Sequence, residues 1–428
     1  MANIHLPRSR GIVLLTALLT LAILTLIALC LTFVSSTEVL VNESNEKTVL
    51  LLYAAESACE EARLKTRNLL DGTHLSFTDI SRTVYLVTNL SLDPTLGDEV
   101  TNPYFDSNFD PSQTVSILPS ELGSLQFSWV KIWPKTESRA GYSLDDAVLT
   151  TDPVFYGFSK IKPAAKPTQY VNSGIHLVDH IGTPVFLVTA LAKKLSGYRQ
   201  VVSTDIARVP CPPLAAVFFS KEMIQIVGSA VFIDGNDQST VSAYSLDGVE
   251  SQGGILGDTT NIHGAPLAAK LYSPYSYEMQ SLLKMLSPPN VREVENLNIN
   301  ISKSGAGEYV ATGITLGTLP ASGDISQAVY VDGPLSISNS SGQGILVING
   351  DLVISGEFTY HGLIIVNGKV LLSGAGSGIQ ILGALIAGSG DGSGISVLDG
   401  IINMSYDSSL IRKQFENLPY ARIAFRDF

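Results

Sequence analysis

The chain lacks most of what an enzyme or a nucleic-acid-binding protein needs. Three cysteines in 428 residues exclude a disulfide framework. Charged residues make up 15% of the chain and the formal net charge is −12. No Lys/Arg run is present, which argues against nucleic acid as a partner, because a phosphate backbone needs a concentrated basic patch. The six histidines are scattered. His176 and His180 are four apart, but their segment alternates like a strand, where such positions lie about 13 Å apart, and no third ligand is evident. There is no G-x-S-x-G elbow, Walker loop or H-E-x-x-H. The run GAGSG at 374–378 lacks the lysine of a phosphate loop. A second long hydrophobic run is also missing.

What is present begins at the N-terminus. Residues 12–34, IVLLTALLTLAILTLIALCLTFV, form an uncharged stretch of 23 residues. As a helix it spans roughly 34 Å, enough for a bilayer core. Arg8 and Arg10 precede it with no acid, which predicts a cytoplasmic N-terminus and a single membrane pass with the rest of the chain on the far side. Without those two arginines the balance is 25 basic against 39 acidic side chains. Helix character continues through a stem to Asp71-Gly72. Ala54, Ala55, Ala58 and Ala62 fall on one narrow stripe of that stem, suited to close packing against a sheet or another helix. Thr16, Thr20, Thr25 and Thr32 can return their hydroxyl protons to the helix backbone.

Residues 73–212 read as an α/β head: irregular at first, then strands at 125–133, 174–181, 184–194 and 198–209, the last two joined by Leu195-Ser196-Gly197 as a hairpin. The stem helix is expected to pack on this antiparallel meander. From 213 to 412 the chain repeats. Gly344, Gly350 and Gly356 match Gly362, Gly368 and Gly374 at an offset of 18, and Gly333 matches Gly350. Looser copies start at Gly378 and at Gly394, the latter carrying Gly400, and AVFIDGNDQS at 230–239 is an earlier copy. Short β-branched strands between glycine corners (Gly333, Gly350, Gly368, Gly400) predict a parallel β-solenoid, with an antiparallel sandwich as its rival and with φ > 0 as the corners' reason for glycine. Ile345, Val347, Leu363 and Ile365 are expected to point inward. An insertion at about 240–325, with a helix at 273–286, interrupts the repeat, and 413–428 reads as a C-terminal tail. The fold class is thus α+β followed by all-β.

Few residues stand out for chemistry. Asp106, Asn108 and Asp110 have the D-x-N-x-D opening of a calcium loop, but Pro111 and Ile117 replace the Gly and Glu that an EF-hand requires. A looser calcium site there, or at Asp234, Asn236 and Asp237, is set against a solvated acidic turn. Otherwise no cofactor is expected. A Cys59–Cys211 bridge is conceivable, while Cys30 reads as a small apolar residue. Trp129 and Trp133 read as core rather than as a sugar platform. A carbohydrate-active solenoid would stack its acids. Residues 344–410 hold only Asp351, Glu357, Lys369, Asp391, Asp399 and Asp407, and the copies are not expected to stack them on one face, so an assembly protein rather than an enzyme is expected.

The N-terminal residues resemble the class III signal of type IV prepilins. Arg10-Gly11 before IVLLTALLTLAILT fits a leader of residues 1–11 cut after Gly11, with Ile12 as the new N-terminus. RGIVLLTALL, followed some forty residues later by Ala54-Ala55-Glu56-Ser57-Ala58-Cys59-Glu60-Glu61-Ala62, is similar to the PilX-type minor pilins over residues 8–65. The resemblance implies prepilin peptidase, an inner-membrane assembly platform and other pilins as partners. It also implies assembly through a helix that includes Leu14, Leu15, Thr16, Leu18 and Leu19, and a final place on the pilus or cell surface. Thr16 stands where major pilins carry a glutamate that neutralises a neighbour's amine, which implies a minor subunit near the tip or in initiation. A minor pseudopilin of type II secretion is the alternative within this class.

Overall fold

The computed structural model describes residues 9–69, 84–87, 114–116, 126–140, 154–158, 167–171 and 183–193 and, with short breaks, 199–427. One helix, α1 (Ser9–Leu69, 61 residues), opens the chain, and the remainder is mostly β-sheet. Residues 12–69 contain no glycine or proline, so nothing breaks the helix over about 90 Å. Asp71-Gly72, the expected stop, lies outside the described residues.

The head is a sheet built on β1 (Val84–Val87), β2 (Thr114–Ser116), β3 (Gln126–Pro134), β4 (Phe186–Lys193) and β5 (Arg199–Arg208), in the order β2-β1-β3-β4-β5. Its pairs are antiparallel except at the edge, where β1 and β2 run parallel. The predicted β4–β5 hairpin holds register from Lys193 opposite Arg199 to Phe186 opposite Ile206. Its turn and the strand expected at 174–181 lie outside the described residues. A second, three-stranded antiparallel sheet pairs Phe155–Phe158 with Pro167–Val171 and Thr183–Pro184.

The repeats form β6 (Leu335–Ile348), β7 (Leu352–Val366), β8 (Val370–Ala387) and β9 (Ile395–Tyr406), each beside the next and parallel to it. The offset of 18 is the register: Gly344 lies opposite Gly362, and Gly356 opposite Gly374. Gly362 then lies opposite Gly383, 21 positions on, because β8 carries three extra residues at the bend between Gly374 and Ile379. That insertion is the looser spacing seen in the sequence. Ile345 and Leu363 pair, as do Val347 and Ile365, and all four are fully buried. The outer neighbours Leu346, Ile348, Ile364 and Val366 are buried as well, so this side is covered on both faces. The unbroken apolar runs ILVI and LIIV are the sequence sign of such two-sided burial.

Two parts of the expected domain plan are corrected. The interval 240–325 is more than an insertion. Asp247–Ser251, Ile255–Gly257 and Ile262–His263 pair in parallel with Ala216–Ser220, Met223–Ile226 and Val231–Asp237, extending the stack beyond β9. Tyr309–Thr312 and Ala328–Val331 extend it on the other side of β6. The chain therefore enters the stack in the middle, builds one end, crosses to the other and winds back until β9 meets Met223–Ile226. Helix α2 (Met279–Met285) lies on that crossing connection, shorter than expected because 273–278 lie outside the described residues; its Leu282 and Leu283 join the block's core. Nor are residues 413–428 a tail. Helix α3 (Ser408–Glu416) packs across β6, β7 and β8, and β10 (Tyr420–Asp427) returns to the head and pairs antiparallel with β5. The block of residues 209–419 is inserted between two neighbouring strands of the head sheet. Local pattern could not show this, because the partner of β10 is more than two hundred residues earlier.

Candidate functional site

The apolar side chains in the first half of α1 are exposed. Leu14, Leu15, Leu18 and Leu19 are 57–69% exposed, and the large apolar side chains through Phe33 are comparably bare. A run of this length and hydropathy is a candidate membrane span. Its hydroxyls are turned inward: Thr20 donates to the carbonyls of Thr16 and Ala17, Thr25 to Ala22 and Thr32 to Ala28. The helix surface thus offers hydrocarbon and almost no free polar group. The backbone at Gly11 and Ile12 is already helical. Arg8 lies outside the described residues, as does the side chain of Arg10.

The last third of α1 is docked. Leu51, Ala54, Ala55, Ala58, Cys59 and Ala62 are buried against Val130 and Ile132 of β3, Val188, Ala190 and Ala192 of β4 and Val202 and Ile206 of β5. The alanine stripe is therefore engaged within the molecule, and its small side chains let the helix lie close to the sheet. Ala55→Leu, at a fully buried position, is expected to destabilise the head by about 1–3 kcal/mol through overpacking, read as a lower urea midpoint in detergent.

Sequence reasoning missed a clamp at the end of this interface. Arg63 donates from Nη1 to the carbonyl of Tyr420 at 2.7 Å, and from Nε to Glu60 at 2.7 Å. Glu60 also faces Arg422, at 3.6 Å. Tyr420 sits in the α1 core, edge-on to Phe186 with ring centroids 5.9 Å apart and the Arg208 guanidinium 5.2 Å from its ring. Burial pushes its phenol above the ordinary range, and Arg208 pulls the other way. The alternation of YARIAFRD was the available signal, but the residues that it meets lie far away in sequence.

The other candidates fall in different places. Asp106, Asn108 and Asp110 lie outside the described residues, as do His176 and His180. Asp234 accepts from the backbone and side chain of Asn236, and Asp237 accepts from Ser239 and Ser408 at the start of α3. Among the described residues no group of three His, Cys, Asp or Glu is placed to hold a metal ion. Lys369 meets Asp351 at the equivalent corner of the neighbouring repeat, at 3.6 Å, so this one pair of charges is stacked, against the expectation. Trp133 is partly exposed, with Lys131 Nζ 3.7 Å from its ring centroid. Cys59 and Cys211 are both free and buried in separate cores, so the conceivable bridge is not formed. At the corners, Gly333 and Gly400 have positive φ (151° and 77°), whereas Gly350 and Gly368 do not. Those two are glycines for lack of space: a Cβ on Gly350 would lie 2.5 Å from Pro334 N, and one on Gly368 2.6 Å from the Gly350 carbonyl.

No family model matches the chain, and no curated protein matches it. Among solved structures, it was aligned with the competence-associated pilin ComZ from Thermus thermophilus at 10% identity, over 89% of this chain and 97% of that one, with a TM-score of 0.14.

Proposed function

We propose that this chain is a pilin-like structural subunit whose bare apolar helix carries it first in the inner membrane and then in a filament. The observation that carries the reading is the division of α1: an exposed uncharged apolar rod up to Val34, a polar stretch over 35–50, then an alanine stripe docked on a head sheet. In water so large an apolar surface is unstable, and only lipid or sister helices can cover it. Prepilin peptidase cuts after Gly11 and removes Arg8 and Arg10, leaving Ile12 at the end of an uncharged rod. The assembly platform then moves the rod from lipid into the core of a pilus, where neighbouring pilins replace the acyl chains. Burial at about 25 cal/mol per Å2 repays the transfer. Thr16 in place of a glutamate offers no charge partner to a neighbour's amine, which supports a place near the tip or in initiation. The parallel ladders of β6–β9 support a β-solenoid, carried outward by the head as a spacer or adhesive surface.

Co-expression with prepilin peptidase tests this. The chain is expected to lose its first eleven residues, read as a mass shift with Ile12 as the new N-terminus, and Gly11→Val is expected to abolish the cut. An intact N-terminus, or a cut near Ser35–Ser36 by signal peptidase, removes the basis of the proposal.

A further inference from the structure

We infer that the stem helix docks fully on the head only after the inserted block has folded, so that a finished block is a condition for a finished stem. The head cannot close without β10, which covers the edge of β5 from Arg208 opposite Tyr420 to Val202 opposite Asp427. Tyr420 and Arg422, both on β10, hold Arg63 and Glu60 in the last turns of α1. Every one of these contacts uses residues that come after the block in the chain.

The block decides whether β10 can arrive. Between Arg208 and Tyr420 lie 211 residues. As an unfolded loop they bring their ends together on the order of a hundredfold less often than a ten-residue turn does. In the folded chain the residues that flank the block are paired, Arg208 opposite Tyr420, and segments near its two ends also meet. Tyr406, at the end of β9, pairs with Asp237, and its carbonyl accepts from Gln238 N. Asp237 caps the start of α3 through Ser408, at 3.0 Å and 2.6 Å. Cys211 and Leu418, near the two exits, are buried in the same core. The dependence runs one way. Apart from Ala421 of β10, the buried residues of the block's core come from the block itself, and none of them belongs to the core under α1. It does not need the clamp, whereas the clamp needs the block.

Cys59 is a built-in probe, buried beneath the stem with its sulfur 3.8 Å from the Val202 carbonyl. In a full-length Cys30→Ala, Cys211→Ala chain in detergent it is the sole thiol. Ile365→Asp with Gly383→Val, both inside the block, is expected to make the block protease-sensitive. Maleimide labelling of Cys59 should then be at least about tenfold faster. A Cys59 that stays protected while the block is digested overturns the inference. So does a double variant whose block resists protease but whose Cys59 is exposed. The reverse arm uses Cys211 as sole thiol in a chain carrying Arg63→Ala and Tyr420→Ala. Its labelling should stay within about twofold of the same chain without those two substitutions. Equal exposure of both probes would show one folding unit and no condition. Neither arm involves processing or filament assembly, so the outcome is independent of the proposed function.

Discussion

Gly383→Ala is expected to destabilise the inserted block by about 3–5 kcal/mol and to lower its melting temperature by roughly 10 °C. Gly383 has φ of +145°, and a Cβ there would stand 1.9 Å from the carbonyl oxygen of Gly362 on the neighbouring strand. Every near atom is backbone, so no side chain can swing away. Nor can Gly362 retreat, since its own Cβ position is 2.0 Å from the carbonyl of Gly344. The three glycines stack in register, and moving one strand means moving the next. Two other glycines separate the causes. Gly313 has φ of +64° but open space around it, so Gly313→Ala should lose only about 1 kcal/mol, for conformation alone. Gly305 has neither constraint, and Gly305→Ala should lie within about 0.5 kcal/mol of the parent. Urea melts of the three variants give the order. If Gly383→Ala proves as mild as Gly313→Ala, the strands do not approach as closely as described.

The same glycines show how far sequence can be read. Their offset is the strand register, because a parallel stack puts equivalent residues opposite each other and the chain cannot drift without breaking the pattern. The reason for each glycine was less legible. Gly333 and Gly400 need an unusual φ, while Gly350 and Gly368 need room for the neighbouring corner. Both demands select the same residue. Helix α1 was legible because an unbroken apolar run has few alternatives, and the alanine stripe because its spacing is helical. What stripe and sheet could not reveal was the return of β10. Arg63 and Tyr420 are 357 positions apart, and no local periodicity encodes a contact of that range. The inverted order of the stack was hidden for the same reason: residues 247–263 carry little of the glycine repeat, yet continue the ladders by pairing with residues 216–234.

Lys135→Met is expected to destabilise the head by about 3–5 kcal/mol, and Lys135→Met with Asp205→Leu to restore it or exceed the parent. Lys135 Nζ and Asp205 Oδ2 are 2.5 Å apart, with side chains 2% and 3% exposed. Both charges have left water, which is unfavourable for each, and their attraction offsets that only while both are present. Removing the lysine leaves a buried carboxylate without its cation; removing both leaves an apolar contact with no charge to desolvate. The pair also crosses the sheet. Lys135 follows β3, Asp205 lies on β5 opposite Leu187 of β4, and the bridge therefore ties the outer two of three adjacent strands. It is shielded from counter-ions, so raising salt to about 1 M should change the single variant's deficit little, unlike that of an exposed pair. Equilibrium unfolding in urea at low and high salt distinguishes the cases. A single variant as stable as the double would mean that the carboxylate finds water or another donor, and that the register of β3, β4 and β5 rests on their apolar faces alone.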